Sequence, residues 1–440
     1  MRSLSFPWLL AKEWRELLAS RAYWLLGLML GPMVGQGFIA AVNLYAEASG
    51  IGGAPAALPQ GLTPLDGILV PTFGAYDLAL TLLFPFVVIR LVAAEKESGA
   101  LKLMLQSPAG VGSLLWAKGV IIAIGWLIAL IPGLIALVLW KSYGGHLYGP
   151  EVSNLLLGYL LRMILGAGVA TAAAAIARSA SSAAIVTLGF TVGTWALDFV
   201  AAGRGGLLQK VAGYTPTAAL RVFELGLFRL NTALVTLALG IGGFALAAVW
   251  LPTGQRIRTR LLRSAGVLLC LGLAAWGASL PRTSRDVSEN HRNSFSPAEE
   301  AALRQIRQPL RITIYLAAED PRLMDLERNI ISKLERTLPR VDVDYAAQSR
   351  SGLFEGADDH YGEIWYELGG NKTMSRSTTE AIVLETICQL ASVPPPPQAD
   401  ESGFAGHPLA ARPRWAAMIF HGIWPVTIGL IWWLQHNRRN

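Results

Sequence analysis

Charge is scarce in this 440-residue chain: Asp, Glu, Lys and Arg make up 15% of it, while 53% is hydrophobic. That balance excludes an ordinary soluble domain of this size. Cysteine is nearly absent. Cys270 lies in an apolar run and Cys388 in a polar segment, which excludes a disulfide framework and leaves no C-x-x-C redox pair. A phosphate-cradling G-x-x-x-x-G-K-[ST] loop is also missing, and the stretch "ELGGNKTMS" at 367–375 lacks its spacing. Nucleotide hydrolysis by this chain is therefore not expected. No basic stripe with interleaved aromatics suggests nucleic acid. No catalytic constellation is evident, so an enzyme is not expected, nor a cofactor or metal bound by this chain. Asp358, Asp359 and His360 are loop neighbours of a kind that rarely converges on one ion.

What is abundant is the long apolar run. A bilayer core needs about 20 apolar residues per helical span. Eight segments meet or approach that length, near 22–45, 76–94, 119–140, 155–177, 182–201, 232–251, 264–280 and 415–434. The expected fold class is an α-helical polytopic membrane protein of about eight spans. Residues 1–21 have charges where a cleavable signal would be apolar. They read instead as an interfacial helix, with Leu10, Trp14, Leu17 and Leu18 on one face and Lys12, Glu13, Arg15 and Glu16 on the other.

Orientation follows from Lys and Arg. The loop 46–75 has neither, whereas Lys96, Lys102, Lys118, Arg178, the Arg256–Arg263 cluster and Arg438-Arg439 alternate with it. Both termini are then expected in the cytosol. Only the segment 202–231, with Arg204, Lys210, Arg221 and Arg229, sits awkwardly on the outer side. This topology puts the soluble stretch 281–414 outside the cytoplasm. It carries 16 Lys and Arg against 20 Asp and Glu, so −4 of the chain's +7, which leaves +11 on the membrane part.

Between the second and third spans lies "EKESGALKLMLQSPAGVGSLLWAKG", far more polar than its flanks. Leu101, Met104 and Leu105 recur at helical spacing, predicting a short helix over about 96–106 that ends at Ser107-Pro108, with a second helix from about Gly112. A short amphipathic helix of this kind suits docking into a partner's groove. The stretch resembles the signature E-x-x-x-G-[TA]-L-x-x-L-L-x-[ST]-P of type-2 ABC exporter permeases, matched by Glu95, Glu97, Gly99, Ala100, Leu101, Met104, Leu105, Ser107, Pro108 and Lys118. The resemblance implies a coupling helix within 95–118 that sits against a nucleotide-binding subunit. It also implies a six-span core over 22–251 and an assembly of two permease copies, or a copy with a related permease, and two ABC ATPase subunits. ATP and Mg would be bound on those ATPase subunits.

After the linker and seventh span, 252–280, the segment 281–414 reads as a small α/β domain. Ser296 is the expected N-cap of a helix, "LRITIYLA" and "VDVDYAA" are strands around the helix "PRLMDLERNIISKLERTL", and "YGEIWYEL" with "NKTMS" forms a hairpin at Gly369-Gly370. "STTEAIVLETICQLAS" is a closing helix capped by Ser377 or Thr378. The order β-α-β-β-β-α suggests a thioredoxin-like topology. The stretches "DVSENHRNSFSPA", "PLRITIYLA" and "GEIWYELGGNKTMSRSTTEAIVLETICQLA" resemble the auxiliary domain of gliding-motility-type ABC systems, which is carried outside the cytoplasm between two spans. A polyproline spacer, Pro394–Pro397, leads to the eighth span and tail, 415–440.

Charges inside spans are costly and mark function. The candidates are Arg90, Arg162 and Asp198; Arg162 and Asp198 lie at comparable depth, which allows an ion pair, whereas Arg90 is near enough the cytosolic end to snorkel. The expected function is a bacterial inner-membrane ABC permease subunit that exports a lipid-linked or amphipathic substrate. The alternative is mechanotransmission to a periplasmic partner through the outer domain, with nothing crossing the bilayer. Membrane lipid is the remaining expected partner.

Overall fold

The computed structural model describes residues 6–50, 63–106, 110–201, 206–252, 254–317, 320–346, 360–395, 407–408 and 413–437. In chain order, helices α1 (Phe6–Ala19), α2 (Arg21–Ala48), α3 (Leu65–Glu97), α4 (Ala100–Gln106), α5 (Val111–Ser142), α6 (Gly149–Ile176) and α7 (Ala180–Ala201) come first. There follow α8 (Gly206–Ala212), α9 (Pro216–Glu224), β1 (Leu227–Arg229), α10 (Leu230–Trp250), α11 (Ile257–Ser279), β2 (Ser284–Asp286), α12 (Pro297–Leu303) and β3 (Leu310–Ile314). The chain then forms α13 (321–337), β4 (Val341–Tyr345), β5 (Ile364–Leu368), β6 (Asn371–Ser375), α14 (Glu380–Leu390) and α15 (Met418–Asn437). Among the described residues, eight helices are long and apolar enough to cross a membrane: α2, α3, α5, α6, α7, α10, α11 and α15. The protein is a multi-pass helical membrane protein.

Two helices begin earlier than their hydropathy suggests. The sequence places the second span at 76, but α3 starts at Leu65 with one π-helical turn, and its 33 residues extend about 50 Å at 1.5 Å per residue. The Gly, Pro and Thr residues between 67 and 74 weaken the apolar signal without breaking the helix. Likewise α5 is continuous from Val111 through a local adjustment at Leu130-Pro132.

The chain divides into two compact units: residues 1–193, 231–281 and 403–440 in one, and 194–230 with 282–402 in the other. In the first unit, small residues set how closely helices approach. Gly27, Gly31 and Gly35 form a groove along α2 that receives Ile428, Trp424 and Phe420 of α15. A Cβ at Gly31 would overlap the Trp424 indole, and one at Gly35 would overlap Phe420. The indole Nε1 of Trp424 donates to the Gly27 carbonyl at 2.7 Å, which fixes the antiparallel register. Gly168 of α6 meets Gly240 and Gly243 of α10 backbone to backbone in the same manner. Water is absent from a bilayer core, so close van der Waals packing replaces hydrophobic burial as the attraction between spans.

The second unit obeys aqueous rules. Its four-stranded sheet has the order β4-β3-β5-β6, with β3 parallel to β4 and antiparallel to β5, and β6 antiparallel to β5. Alternate residues of β3 (Leu310, Ile312, Ile314) and β5 (Ile364, Tyr366, Leu368) enter one core with Leu326, Leu334, Val383 and Ile387 of the flanking helices. The β5–β6 hairpin turns at Gly369 and Gly370, whose φ of 56° and 93° place both in the left-handed region a tight hairpin demands. Ser296 caps α12 as expected, in a reciprocal capping box with Glu299. The cap of α14 is Thr379, rather than Ser377 or Thr378.

Residues 202–230, which the sequence places in a loop of the six-span core, group with this second unit, together with the last turns of α7 from residue 194. β1 pairs antiparallel with β2, Leu227 opposite Asp286 and Arg229 opposite Ser284. Gln209 donates to the Tyr345 hydroxyl, which in turn donates to Glu327 at 2.5 Å. Burial pushes the Glu335 carboxyl above its ordinary range, while Arg229, Arg336 and Lys210 pull it back. Burial also holds Arg336 down, to about 10, helped by neighbouring Arg229. Two of the awkwardly placed basic residues, Lys210 and Arg229, therefore act on the Glu335 carboxylate of the same unit. Arg204 lies outside the described residues.

Candidate functional site

The charged stretch at the end of α3 is a junction in which three successive side chains tie three different partners. Glu95 is 3% exposed and faces Lys118 of α5 at 2.9 Å and Lys12 of α1. Lys118 is fully buried, and its ammonium also meets Glu13 at 2.8 Å and donates to the Leu91 carbonyl at 2.7 Å. Lys12 reaches Glu13 and Glu16, each at 3.0 Å. Glu13, Glu16 and Glu95 come close enough to one another to hold a cation, and the Lys12 ammonium contacts all three. The three carboxylates thus share two of the protein's own ammonium groups.

Lys96 turns the opposite way. Its ammonium donates to the carbonyls of Ala174, Ala175 and Ala177 at 3.4, 2.8 and 2.5 Å, satisfying the orphan carbonyls at the end of α6. Glu97 accepts from the Ala180 N–H at 3.2 Å and so caps the start of α7 with a negative charge, as the helix dipole favours. One tripeptide thereby fixes α1 and α5, the end of α6 and the start of α7.

Immediately after it the helix breaks. Ser98 N–H bonds the Ala94 carbonyl, and Gly99 adopts φ +76°, a left-handed conformation that ends α3. The sequence predicts one short helix from Lys96. Instead α3 continues through Glu97, and α4 is a separate helix of seven residues from Ala100. Leu101 is buried, whereas Lys102 and Leu103 face outward, Leu103 at 70% exposure, and Leu105 is half-buried. Ser107 and Pro108 lie outside the described residues.

Two expectations about charge need correction. Glu13 is not on a solvated face of α1: the buried residues there are Leu9, Glu13 and Leu17, spaced by four. Nor is Lys118 a loop cation, since it lies inside α5. The i, i+4, i+8 stripe through a carboxylate is visible in the sequence, but it reads as polar until Lys118 supplies the counter-charge 105 residues on.

Arg162 and Asp198 are not brought together. Arg162 bonds Asp77 of α3 at 2.5 Å and Thr81 at 3.0 Å. Asp198 instead accepts from the hydroxyl of Thr215, which is the N-cap of α9. A span begun at 76 puts Asp77 at the membrane edge, whereas eleven further helical residues before that position carry it inside the helix. The spacing of Asp77 and Thr81, one turn apart on one face, is the signal that could have found it. Arg90 is exposed on α3 and lines a cavity with Arg21.

Comparison with protein-family models, curated proteins and solved structures finds no match to this chain.

Proposed function

We propose that this chain is the membrane subunit of an ATP-driven ABC complex of the type-2 exporter kind, with α4 as the helix that docks on a separate ATPase subunit. The observation that carries the reading is the junction at Glu95-Lys96-Glu97. A helix with outward Lys102 and Leu103 follows directly on three side chains that grip α1, α5, α6 and α7. A push on α4 would therefore reach four helices through ion pairs and caps within one turn. Two ATPase copies would bind ATP and Mg, and a second permease copy or a related permease would complete the assembly. In a bacterial inner membrane with both termini cytosolic, the second unit would face outward. The sheet order, with the parallel pair β4-β3 on one side and the antiparallel β5–β6 hairpin on the other, supports reading that unit as a thioredoxin-like auxiliary domain of the gliding-motility type.

Export of a lipid-linked or amphipathic substrate is one output of such a machine. Mechanical transmission to a periplasmic partner is the second, and one observation favours it. Because 194–230 belongs with 282–402, the chain passes between the two units four times, not twice. Movements of the fifth, sixth, seventh and eighth spans would all act on the second unit through short covalent links.

The test is Leu103→Asp, which changes an exposed side chain and leaves the junction intact. Co-purification with an ABC ATPase partner, and stimulation of that ATPase, should both fall at least about tenfold, the cost of placing a charge in an apolar docking pocket. Unaltered co-purification and stimulation would remove α4 from the docking role.

A further inference from the structure

Arg21 and Arg90 are the cations that the junction leaves unused. Arg21 opens α2, and Arg90 lies seven residues before the end of α3, about 10 Å into the helix at 1.5 Å per residue. Both line a cavity of about 840 Å³ with Trp432, Gln435 and His436 of α15. The start of α2, the end of α3 and the end of α15 lie at one end of the helix bundle, as the antiparallel pairing of Gly27, Gly31 and Gly35 with Ile428, Trp424 and Phe420 requires. Among the described residues neither arginine forms an ion pair or a hydrogen bond, and none of the residues lining the cavity is an Asp or Glu. The Gln435 carboxamide oxygen is buried there without a donor, and Trp432 stacks on His436 at 5.7 Å between ring centroids.

An arginine one or two turns inside a span is costly without a counter-anion. Elsewhere in this unit the cost is met from within: Arg162 has Asp77, and Lys118 has Glu13 and Glu95. Here two arginines line one open cavity near the ends of their helices, beside the Trp432 indole and with no acidic residue in the lining. A phosphate oxygen pair matches the guanidinium fork. The carboxamide can meet a headgroup hydroxyl, and the indole covers the first methylenes of an acyl chain.

We propose that this cavity is a binding site for an anionic membrane phospholipid, its phosphate held by Arg21 and Arg90 and its headgroup hydroxyl by Gln435. The proposal needs only the eight spans and is independent of the ATPase-docking reading. It is tested on the full-length chain, purified in detergent and delipidated, by native mass spectrometry during titration with phosphatidylglycerol or phosphatidylcholine. The expected result is a preference for phosphatidylglycerol that weakens about fivefold in Arg90→Gln and again in Arg21→Gln. Arg90→Lys should keep most of it, because an ammonium still pairs as a point charge. The exposed outer-unit variant Arg311→Gln should not change it. Equal binding of the two lipids, or a preference that survives both glutamine variants, overturns the site. Displacement of the lipid by equimolar inorganic phosphate would show a free-anion site, and loss of a dimer in Arg90→Gln would show that a second copy fills the cavity. Either outcome overturns the lipid assignment. Melting temperature and elution volume of each variant separate lost binding from lost folding.

Discussion

The two units use the same ion-pair chemistry in opposite ways. In the membrane unit, Lys118 is fully buried between Glu13 and Glu95, and Arg162 is 11% exposed beside Asp77 at 19%. In the second unit Arg311 and Asp344 pair across neighbouring strands at 60% and 56% exposure. The buried pairs join helices that are far apart in sequence. The exposed pair decorates a sheet already specified by its core alternation. A buried pair gains little net stability over an apolar substitute but is severe to break, because the abandoned partner stays charged and desolvated. A surface pair can be lost almost without consequence. Architecture in the membrane unit therefore depends on a handful of charges and glycines, and in the second unit on a distributed core.

The sharpest way to break this contrast is to remove one cation from each. Lys118→Met leaves two buried carboxylates to share the single Lys12 ammonium and should cost about 3–5 kcal/mol, read as a large drop in thermal unfolding temperature in detergent. Adding Glu13→Gln should recover part of that loss. Arg311→Ala should cost under about 0.5 kcal/mol. Comparable shifts in the two variants would mean that the junction is hydrated and that Lys118 is an ordinary surface group.

The next effect concerns glycine. Gly31→Leu places a side chain where Trp424 lies, an overpacking that costs about 1–3 kcal/mol locally and should displace α15 from α2. A disulfide between cysteines introduced at Gly27 and Ile428, where a Cβ at 27 comes within 3.7 Å of the isoleucine, reports the contact. Gly31→Leu should abolish that cross-link, and Gly429→Leu, on α15 and facing open space, should not. A cross-link that persists in Gly31→Leu would show that the glycine groove does not hold the last span.

The same contrast decides what the sequence discloses. In the second unit the four strands of the main sheet, the Ser296 cap and the hairpin at Gly369-Gly370 are legible, because each is set by residues within a few positions of one another. In the membrane unit the number of spans was legible from hydropathy. Their ends and their partners were not. Gly27, Gly31 and Gly35 carry no hydropathy signal, and their partners lie nearly 400 residues away. Glu13 looked solvated because its counter-charge is remote, and Asp77 looked peripheral because the helix continues through glycine and proline. The segment Glu95–Glu97 stood out by its polarity, yet the task of each residue depends on helix ends that only the folded chain brings near. That 202–230 groups with the second unit has no local signal for a related reason: the pairing of β1 with β2 bridges the entire sixth and seventh spans.

The smallest effect tests whether the second unit follows aqueous electrostatics even at its caps. Asp320 caps α13, accepting from the Arg322 N–H at 3.0 Å, and its carboxylate also receives the Arg322 side chain at 2.8 Å and the Tyr361 hydroxyl at 2.7 Å. The Arg322 hydrogen bond first, against a smaller cost of burial, holds its carboxyl well below the usual carboxylate range. A folded-state value below the unfolded one adds stability that is present above the unfolded value, near 3.8, and is lost as pH falls through the folded value. Arg322 is 48% exposed, so solvent screening limits the gain to about 0.5 kcal/mol. Asp320→Asn keeps a good N-cap and removes only the charge. Hydrogen exchange across 321–337 in the full chain should then be about twofold faster in the variant at pH 7, and the two proteins should converge as pH falls below the folded value. A gap that stays constant down to pH 2 would trace the difference to cap geometry, not to the charge. A gap that widens on acidification would reverse the sign of the carboxylate's contribution and place Asp320 among the buried groups of the kind found in the membrane unit.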